Sequence, residues 1–133
     1  MAKSLLDKLG WKAGTPAEVR DLPPALAEPL APLAAATTGD PRFRIGFVRN
    51  AAELAEAIAA LAPDYAPGGH LWLCYPKKSG AIRTDLTRDR GWEAVLARGF
   101  LPVSQIALDG DWSALRFRLR GEIPRLTRKG GTG

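Results

Sequence analysis

Five apolar or aromatic residues follow one another between His70 and Pro76, in the order Leu71-Trp72-Leu73-Cys74-Tyr75. A half-exposed strand alternates polar and apolar residues, whereas a strand buried on both faces reads as a continuous apolar run. The run is far shorter than the about 20 residues that a membrane-spanning helix needs. Pro76 ends it, because proline has no N–H to donate to a neighbouring strand. The run therefore predicts the central strand of a parallel sheet.

The segments around this run alternate between strand and helix patterns. Further strands are predicted at residues 17–22, 42–48, 101–108 and 112–119. Between the first two, Leu26, Leu30 and Leu33 share a helical face, but Pro29 and Pro32 interrupt it, which predicts a short or broken helix. The turn Asp109-Gly110-Asp111 between the last two is typical of an antiparallel hairpin.

Two more helices are expected. Asn50 is the predicted N-cap of the first, which precedes the central strand. Thr87 is the predicted cap of the second, whose inner face is expected to carry Trp92, Val95 and Leu96. Strands joined by helices favour right-handed crossovers. The fold class predicted is therefore α/β: a small three-layer Rossmann-like sheet, mostly parallel, with a C-terminal antiparallel hairpin.

The chain length favours one domain. The 133 residues are divided into a single domain at 1–121, with residues 1–16 as an N-terminal segment anchored by Trp11, and a basic tail at 122–133. The N-terminus shows no signal-peptide core, so a cytoplasmic location is expected. With His70 and Cys74 as the single histidine and cysteine, neither a disulfide framework nor a zinc site is expected.

The positive charge is concentrated at the C-terminal end. Residues 1–115 are neutral in sum, so the whole net charge of +5 comes from residues 116–133. One interpretation is a solvated tail beside a strand face that happens to be basic. The other is an electrostatic footprint for the phosphates of a nucleic acid or for an acidic partner.

Ligands of open α/β sheets bind beyond the carboxyl ends of the parallel strands. The residues that follow the second and third predicted strands are therefore expected at one edge of the sheet, together with the start of the last, antiparallel strand. The loop after Pro76 carries ammonium, hydroxyl and guanidinium groups that can hold a phosphate or a carboxylate. The alternative is a solvated loop in which Asp85 pairs with a lysine. The candidate ligand-binding residues are Arg49, Asn50, Lys77, Lys78, Ser79, Arg83, Thr84, Asp85 and Trp112.

Cofactor and catalytic signals are weak. Leu22-Pro23-Pro24-Ala25 follows the first strand where a nucleotide site needs a glycine-rich turn, so no cofactor is expected, neither S-adenosylmethionine nor NAD. No metal is expected either. His70 begins a strand at the end opposite the ligand edge, and Cys74 lies inside a buried strand. No residue is therefore assigned a catalytic role.

Several segments together resemble a known family. They are Gly46-Phe47-Val48-Arg49, residues 66–72, Tyr75-Pro76-Lys77-Lys78-Ser79-Gly80, Thr84-Asp85-Leu86-Thr87 and residues 112–117. This combination resembles a small bacterial family, domain of unknown function 3052, over roughly residues 5–120. The order of elements is also similar to the later two-thirds of the class I S-adenosylmethionine methyltransferase fold. The resemblance implies the fold and marks the Pro-Lys-Lys loop, but it implies no reaction.

Three functions remain open on these residues. The first is a non-catalytic module that binds an anionic ligand or a protein partner through residues 77–85. The second is a divergent transferase that uses the same sheet edge. The third is nucleic-acid binding through the arginine-rich C-terminus.

Overall fold

A single five-stranded sheet organises the residues described by the computed structural model, which are 5–36, 39, 41–63, 65–78, 80, 82–87 and 90–123. The strands are β1 (Ala17–Arg20), β2 (Phe43–Phe47), β3 (His70–Pro76), β4 (Phe100–Ala107) and β5 (Trp112–Leu119). The helices are α1 (Leu5–Leu9), α2 (Ala31–Ala35), α3 (Ala51–Leu61) and α4 (Glu93–Leu96), with 3₁₀ turns at Pro24–Leu26 and Arg120–Glu122. None of the described helices has the length and hydropathy needed to span a membrane.

The strand order is β1-β2-β3-β5-β4. The first three strands are parallel, and β5 is antiparallel to both of its neighbours. The strand β3 therefore lies between β2 and β5, and its Leu71, Leu73 and Cys74 have no exposed surface. The apolar run thus forms the central strand, as the sequence predicts. The α/β class with a terminal antiparallel hairpin is confirmed.

The connections after β1 and β2 cross opposite faces of the sheet. Leu30 and Leu33, between β1 and β2, pack on the face that carries Ile45. Helix α3, between β2 and β3, packs Leu54 and Ile58 on the other face. Because β1, β2 and β3 follow one another in one direction across the sheet, the two crossovers have opposite hands. The expectation that both are right-handed is wrong for one of them, and the physical reason is the burial of the leucines on the face that α3 leaves free.

The helix patterns are confirmed in part. The Asn50 side chain accepts a hydrogen bond from the Glu53 N–H at 2.8 Å, so the predicted cap of α3 is present. Thr87 does not cap α4, which begins at Glu93 after Trp92, because Thr87 forms an isolated bridge with Arg90 instead. Leu96, expected on the inner face, is 46% exposed, since α4 is a single turn and only its Val95 is buried.

The N-terminal segment is anchored to the sheet by two tryptophans. The Trp11 ring is nearly buried in the same cluster as Leu9, and its indole N–H donates to the Thr15 carbonyl oxygen at 2.9 Å. The Trp72 indole N–H donates to the Leu9 carbonyl oxygen at 2.8 Å, across 63 residues of sequence. Trp11 is thus the anchor that the sequence predicts.

Candidate functional site

A crevice lies beyond the carboxyl ends of β1 and β2, and we call it the edge crevice. Adjacent parallel strands whose connections leave on opposite faces open such a space between their ends, and β1 and β2 are such a pair. The crevice has a volume of about 470 Å³. It is lined by Arg20, Asp21, Leu22, Pro23, Pro24, Phe47, Arg49, Glu53, Glu56 and Trp112.

The backbone at Asp21 is strained. Its φ of 57° lies in the left-handed region, and Asp21 is the one non-glycine residue with positive φ among the described residues. Side chains other than those of glycine, asparagine and aspartate rarely adopt that conformation. The strain turns the chain sharply after β1, toward Pro23 and Pro24. The Arg20 Nε lies 3.8 Å from the Asp21 carboxylate, and both groups are largely exposed.

The edge crevice carries charges of both signs, with one more carboxylate than arginine. Arg49 donates from its Nη2 to Glu53 at 2.8 Å and from its backbone N–H to the same carboxylate at 2.9 Å. These hydrogen bonds raise the pKa of Arg49 and lower the pKa of Glu53. Two arginines face three carboxylates, because Glu56 also lines the crevice. The edge crevice is therefore not suited to an anion, and Arg49 already has a partner.

Two aromatic rings form one wall of the edge crevice. Trp112 is only 4% exposed. Its ring meets that of Phe47 edge-on, with 5.5 Å between the centroids. This arrangement gives the crevice a rigid apolar wall beside its charged rim. Trp112, which the sequence places at the ligand edge, therefore lines the edge crevice, and no described residue of the loop that follows Pro76 lines that crevice with it.

A second cleft, which we call the basic cleft, contains most of the predicted loop. Its volume is about 500 Å³. Its described lining residues are Lys78, Gly80, Ile82, Arg83, Thr84, Asp85, Leu86, Thr87 and Arg90. Arg90 was missed by the sequence interpretation, because the isolated bridge between Thr87 and Arg90 that folds it back toward the loop has no sequence signature. Lys77 does not line the cleft, and Ser79 lies outside the described residues.

The basic cleft is fixed to the rest of the fold by backbone contacts. The Asp85 carboxylate accepts a hydrogen bond from the Ala51 N–H at 2.8 Å, at the first turn of α3. The Lys77 N–H donates to the Asp111 carbonyl oxygen at 2.7 Å. A Cβ on Gly80 would come within 3.0 Å of the Asp111 Cα, so the loop needs glycine there. Asp85 therefore joins the loop to a helix, and among the described residues no lysine pairs with it.

The remaining predicted residues have local structural roles. The Thr84 hydroxyl oxygen accepts from the Leu86 N–H at 3.0 Å, which forms a short turn. Asp109 accepts from the N–H groups of Asp111 and Trp112, both at 2.8 Å, and so shapes the hairpin turn. The structure thus brings Lys78, Arg83, Thr84 and Asp85 together, places Arg49 and Trp112 in the edge crevice, and uses Asn50 as a helix cap.

The nucleophilic and titratable groups of the sheet interior lie apart from both clefts. His70 stacks on Phe43 at the amino end of β3, with 5.4 Å between the ring centroids. Burial, with the charges of Arg116 and Arg118, lowers the pKa of His70 to about 4. Burial raises the pKa of the Cys74 thiol well above its ordinary value. Within the described residues, no three His, Cys, Asp or Glu side chains gather where they could hold a metal ion.

No family model and no curated protein matches the sequence. Among solved structures, LepI in complex with SAM has a TM-score of 0.52 with 13% identity, over 87% of this chain and 39% of that chain. LepI C52A in complex with SAH and a substrate analogue has a TM-score of 0.50 with the same identity and coverage. The B. subtilis M1A22 tRNA methyltransferase TrmK follows at 0.49 and 8% identity, over 90% of this chain and 66% of that chain.

These similarities concern the fold. The chain spans 39% of the length of the LepI chains that it matches. Identities this low carry no statement about substrate or activity. The described residues therefore form an α/β fold with a Rossmann-like mixed sheet, and this fold is similar to part of the LepI chains.

Proposed function

We propose that this protein is a non-catalytic binding module that holds an anionic ligand in the basic cleft. One observation carries the proposal. Three cationic side chains, those of Lys78, Arg83 and Arg90, line the same cleft of about 500 Å³. Among the described lining residues the one carboxylate is Asp85, and it already accepts a hydrogen bond from the Ala51 N–H. The described lining residues of the cleft therefore carry more positive than negative charge.

The chemistry of these side chains favours a phosphate or a carboxylate. Guanidinium groups form two parallel hydrogen bonds with the oxygens of such anions, and lysine adds a mobile point charge. Arg83 and Arg90 are exposed, so a ligand in solution can reach both guanidinium groups. No described residue that lines the cleft is assigned a catalytic role, so the proposal includes no reaction.

The test uses inorganic phosphate, with sulfate as a second probe, in calorimetry at constant ionic strength. We expect saturable binding, and the double variant Arg83→Gln with Arg90→Gln should weaken it by about tenfold or more. Arg98→Gln is the matched control, because Arg98 is exposed and lines neither cleft. Equal affinity in the double variant and the control would contradict the proposal. A protein partner of acidic character is the alternative occupant of the same cleft.

A divergent transferase is the second candidate, and the strained turn at Asp21 in the edge crevice favours it. Strained backbone is concentrated at functional sites, and the two LepI structures hold SAM and SAH in a related fold. Against it, Pro23 and Pro24 occupy the place of a glycine-rich turn and remove two backbone donors. We expect calorimetry to show no micromolar binding of S-adenosylmethionine or NAD. Such binding would replace the first candidate with this one.

Membership of the domain of unknown function 3052 family is also a proposal. It is supported by Lys78 and by the Thr84–Thr87 segment, which line the same cleft. A structure of a family member in which the corresponding residues lie elsewhere would contradict it. Nucleic-acid binding through the arginine-rich end is a third proposal; Arg116, Arg118 and Arg120 belong to the described part of the chain, and Arg125, Arg128 and Lys129 lie outside it.

A further inference from the structure

Two arginines lie side by side at the amino end of the sheet. Arg116 and Arg118 are two residues apart on β5, so their side chains leave the same face of the strand. Arg116 is paired across the sheet with Trp72, and Arg118 with Leu101. Both arginines are partly buried. They are far along the sheet from the basic cleft, which follows the carboxyl end of β3.

The hydrogen-bonding capacity of this arginine pair is largely unused. The Nε atoms of both residues are buried and have no hydrogen-bond partner among the described residues. Arg116 makes one long hydrogen bond from Nη2 to the Gly69 carbonyl oxygen, at 3.4 Å. Arg118 makes one from Nη2 to the Glu122 carbonyl oxygen, at 3.5 Å. A buried donor without an acceptor destabilises a fold, so native structures usually provide a partner for it.

The charge of the pair is also poorly compensated. Glu122 is the neighbouring carboxylate, and it lies 3.8 Å from the Arg118 Nε. Its oxygens are already occupied by Tyr65 Oη at 2.6 Å and by the N–H groups of Gly68 and Leu119, both at 2.8 Å. Burial and the nearby charge of Arg118 lower the pKa of Arg116, so the two cations oppose each other.

We propose that Arg116 and Arg118 form a second anion site, whose ligand is a phosphate group. Each guanidinium presents donors in a fixed fork that matches phosphate oxygens. Both side chains are partly exposed, and their Nε atoms are buried, so a phosphate would accept hydrogen bonds from the terminal Nη groups. It would also offset the repulsion between the two cations. The phosphate belongs either to a free phosphate ester or to the backbone of a nucleic acid. This site is independent of the basic cleft, since the two share no residue.

The arginine Nε–H signals in proton–nitrogen NMR spectra report on the site directly. Arg116→Gln and Arg118→Gln each remove one signal and so assign it. In the wild-type protein, inorganic phosphate should shift both signals saturably, whereas chloride at equal ionic strength should not. A single-stranded thymidine oligonucleotide distinguishes the source: tighter binding than inorganic phosphate, with a steep dependence on salt, assigns the site to a nucleic-acid backbone. Saturation by inorganic phosphate with no gain for the oligonucleotide assigns it to free phosphate esters.

Two controls locate the effect. Arg120→Gln removes a neighbouring exposed arginine and should leave both shifts intact. The Arg83→Gln, Arg90→Gln variant should also leave them intact, which separates this site from the proposed basic cleft. The double variant Arg116→Gln with Arg118→Gln should bind the effective probe about tenfold or more weakly. Signals that neither probe moves in the wild type, or unchanged affinity in that double variant, would overturn the proposal.

Discussion

Replacing Glu122 with alanine should lower the free energy of unfolding by about 3 kcal/mol. The Glu122 side chain is only 7% exposed. Its carboxylate accepts hydrogen bonds from Tyr65 Oη and from the backbone N–H groups of Gly68 and Leu119. A hydrogen bond to a charged group contributes about 1.5–3 kcal/mol. The cost of removing the carboxylate from water offsets part of the stabilisation from the three hydrogen bonds. The expected loss of unfolding free energy is therefore close to the contribution of one strong hydrogen bond.

Urea unfolding followed by tryptophan fluorescence measures this loss. Glu122→Gln keeps one acceptor oxygen and should lose about half as much as Glu122→Ala. Two truncations make the matched comparison. Deletion of residues 124–133 should change stability by no more than about 0.5 kcal/mol, whereas deletion of 122–133 should cost as much as Glu122→Ala. The sequence predicts a domain boundary at 121, and the contacts of Glu122 favour one at least a residue later.

Acid titration provides a second measurement of the same contact. Burial raises the pKa of Glu122, but the hydrogen bonds from Tyr65, Gly68 and Leu119 outweigh it, so the pKa in the folded protein is lowered. The stabilisation from a depressed pKa is fully present above the unfolded pKa and is lost as pH falls through the folded pKa. The stability difference between wild type and Glu122→Gln should therefore be constant near neutral pH and shrink below about pH 4. An unchanged unfolding midpoint in Glu122→Ala at pH 7 would refute this reasoning.

Three further predictions concern other parts of the fold. Trp72→Ala should lower the free energy of unfolding by about 3–5 kcal/mol, because the residue is 2% exposed and its indole N–H donates to the Leu9 carbonyl oxygen. Trp72→Phe should lower it less, and equal urea midpoints for Trp72→Ala and wild type would contradict the central placement of β3. Asp21→Val should lower the free energy of unfolding by about 1–2 kcal/mol, because a β-branched residue tolerates the left-handed conformation poorly. Glycine adopts this conformation without strain, so an equally large loss in Asp21→Gly would show that backbone strain is not the cause. The variant Lys77→Ala with Lys78→Ala should unfold within about 0.5 kcal/mol of wild type; a larger loss would mean that these side chains stabilise the loop.

Local patterns were enough to predict the elements of this fold. The apolar run of β3 reflects burial on both faces, and the pattern that predicts this burial is contained in the residues of the strand itself. Likewise Pro29 and Pro32 break the second helix through their own geometry, and α2 is accordingly short. The predicted hairpin turn also depends on neighbours in sequence, since Asp109 bonds the N–H groups of Asp111 and Trp112.

The division of the candidate site into two clefts was not predictable, because it depends on contacts between residues far apart in sequence. The Asp85 carboxylate accepts a hydrogen bond from the Ala51 N–H, 34 residues away in sequence. This bond fixes the loop after Pro76 at the first turn of α3. The pairing of Arg49 with Glu53 is by contrast a local contact between residues four apart, and it occupies an arginine that the sequence assigns to the anion site. Sequence alone thus determined which segments are strands and helices, since propensity and periodicity are local properties. Only the tertiary structure decided which charges are already paired, because pairing depends on distances that the packed chain alone defines.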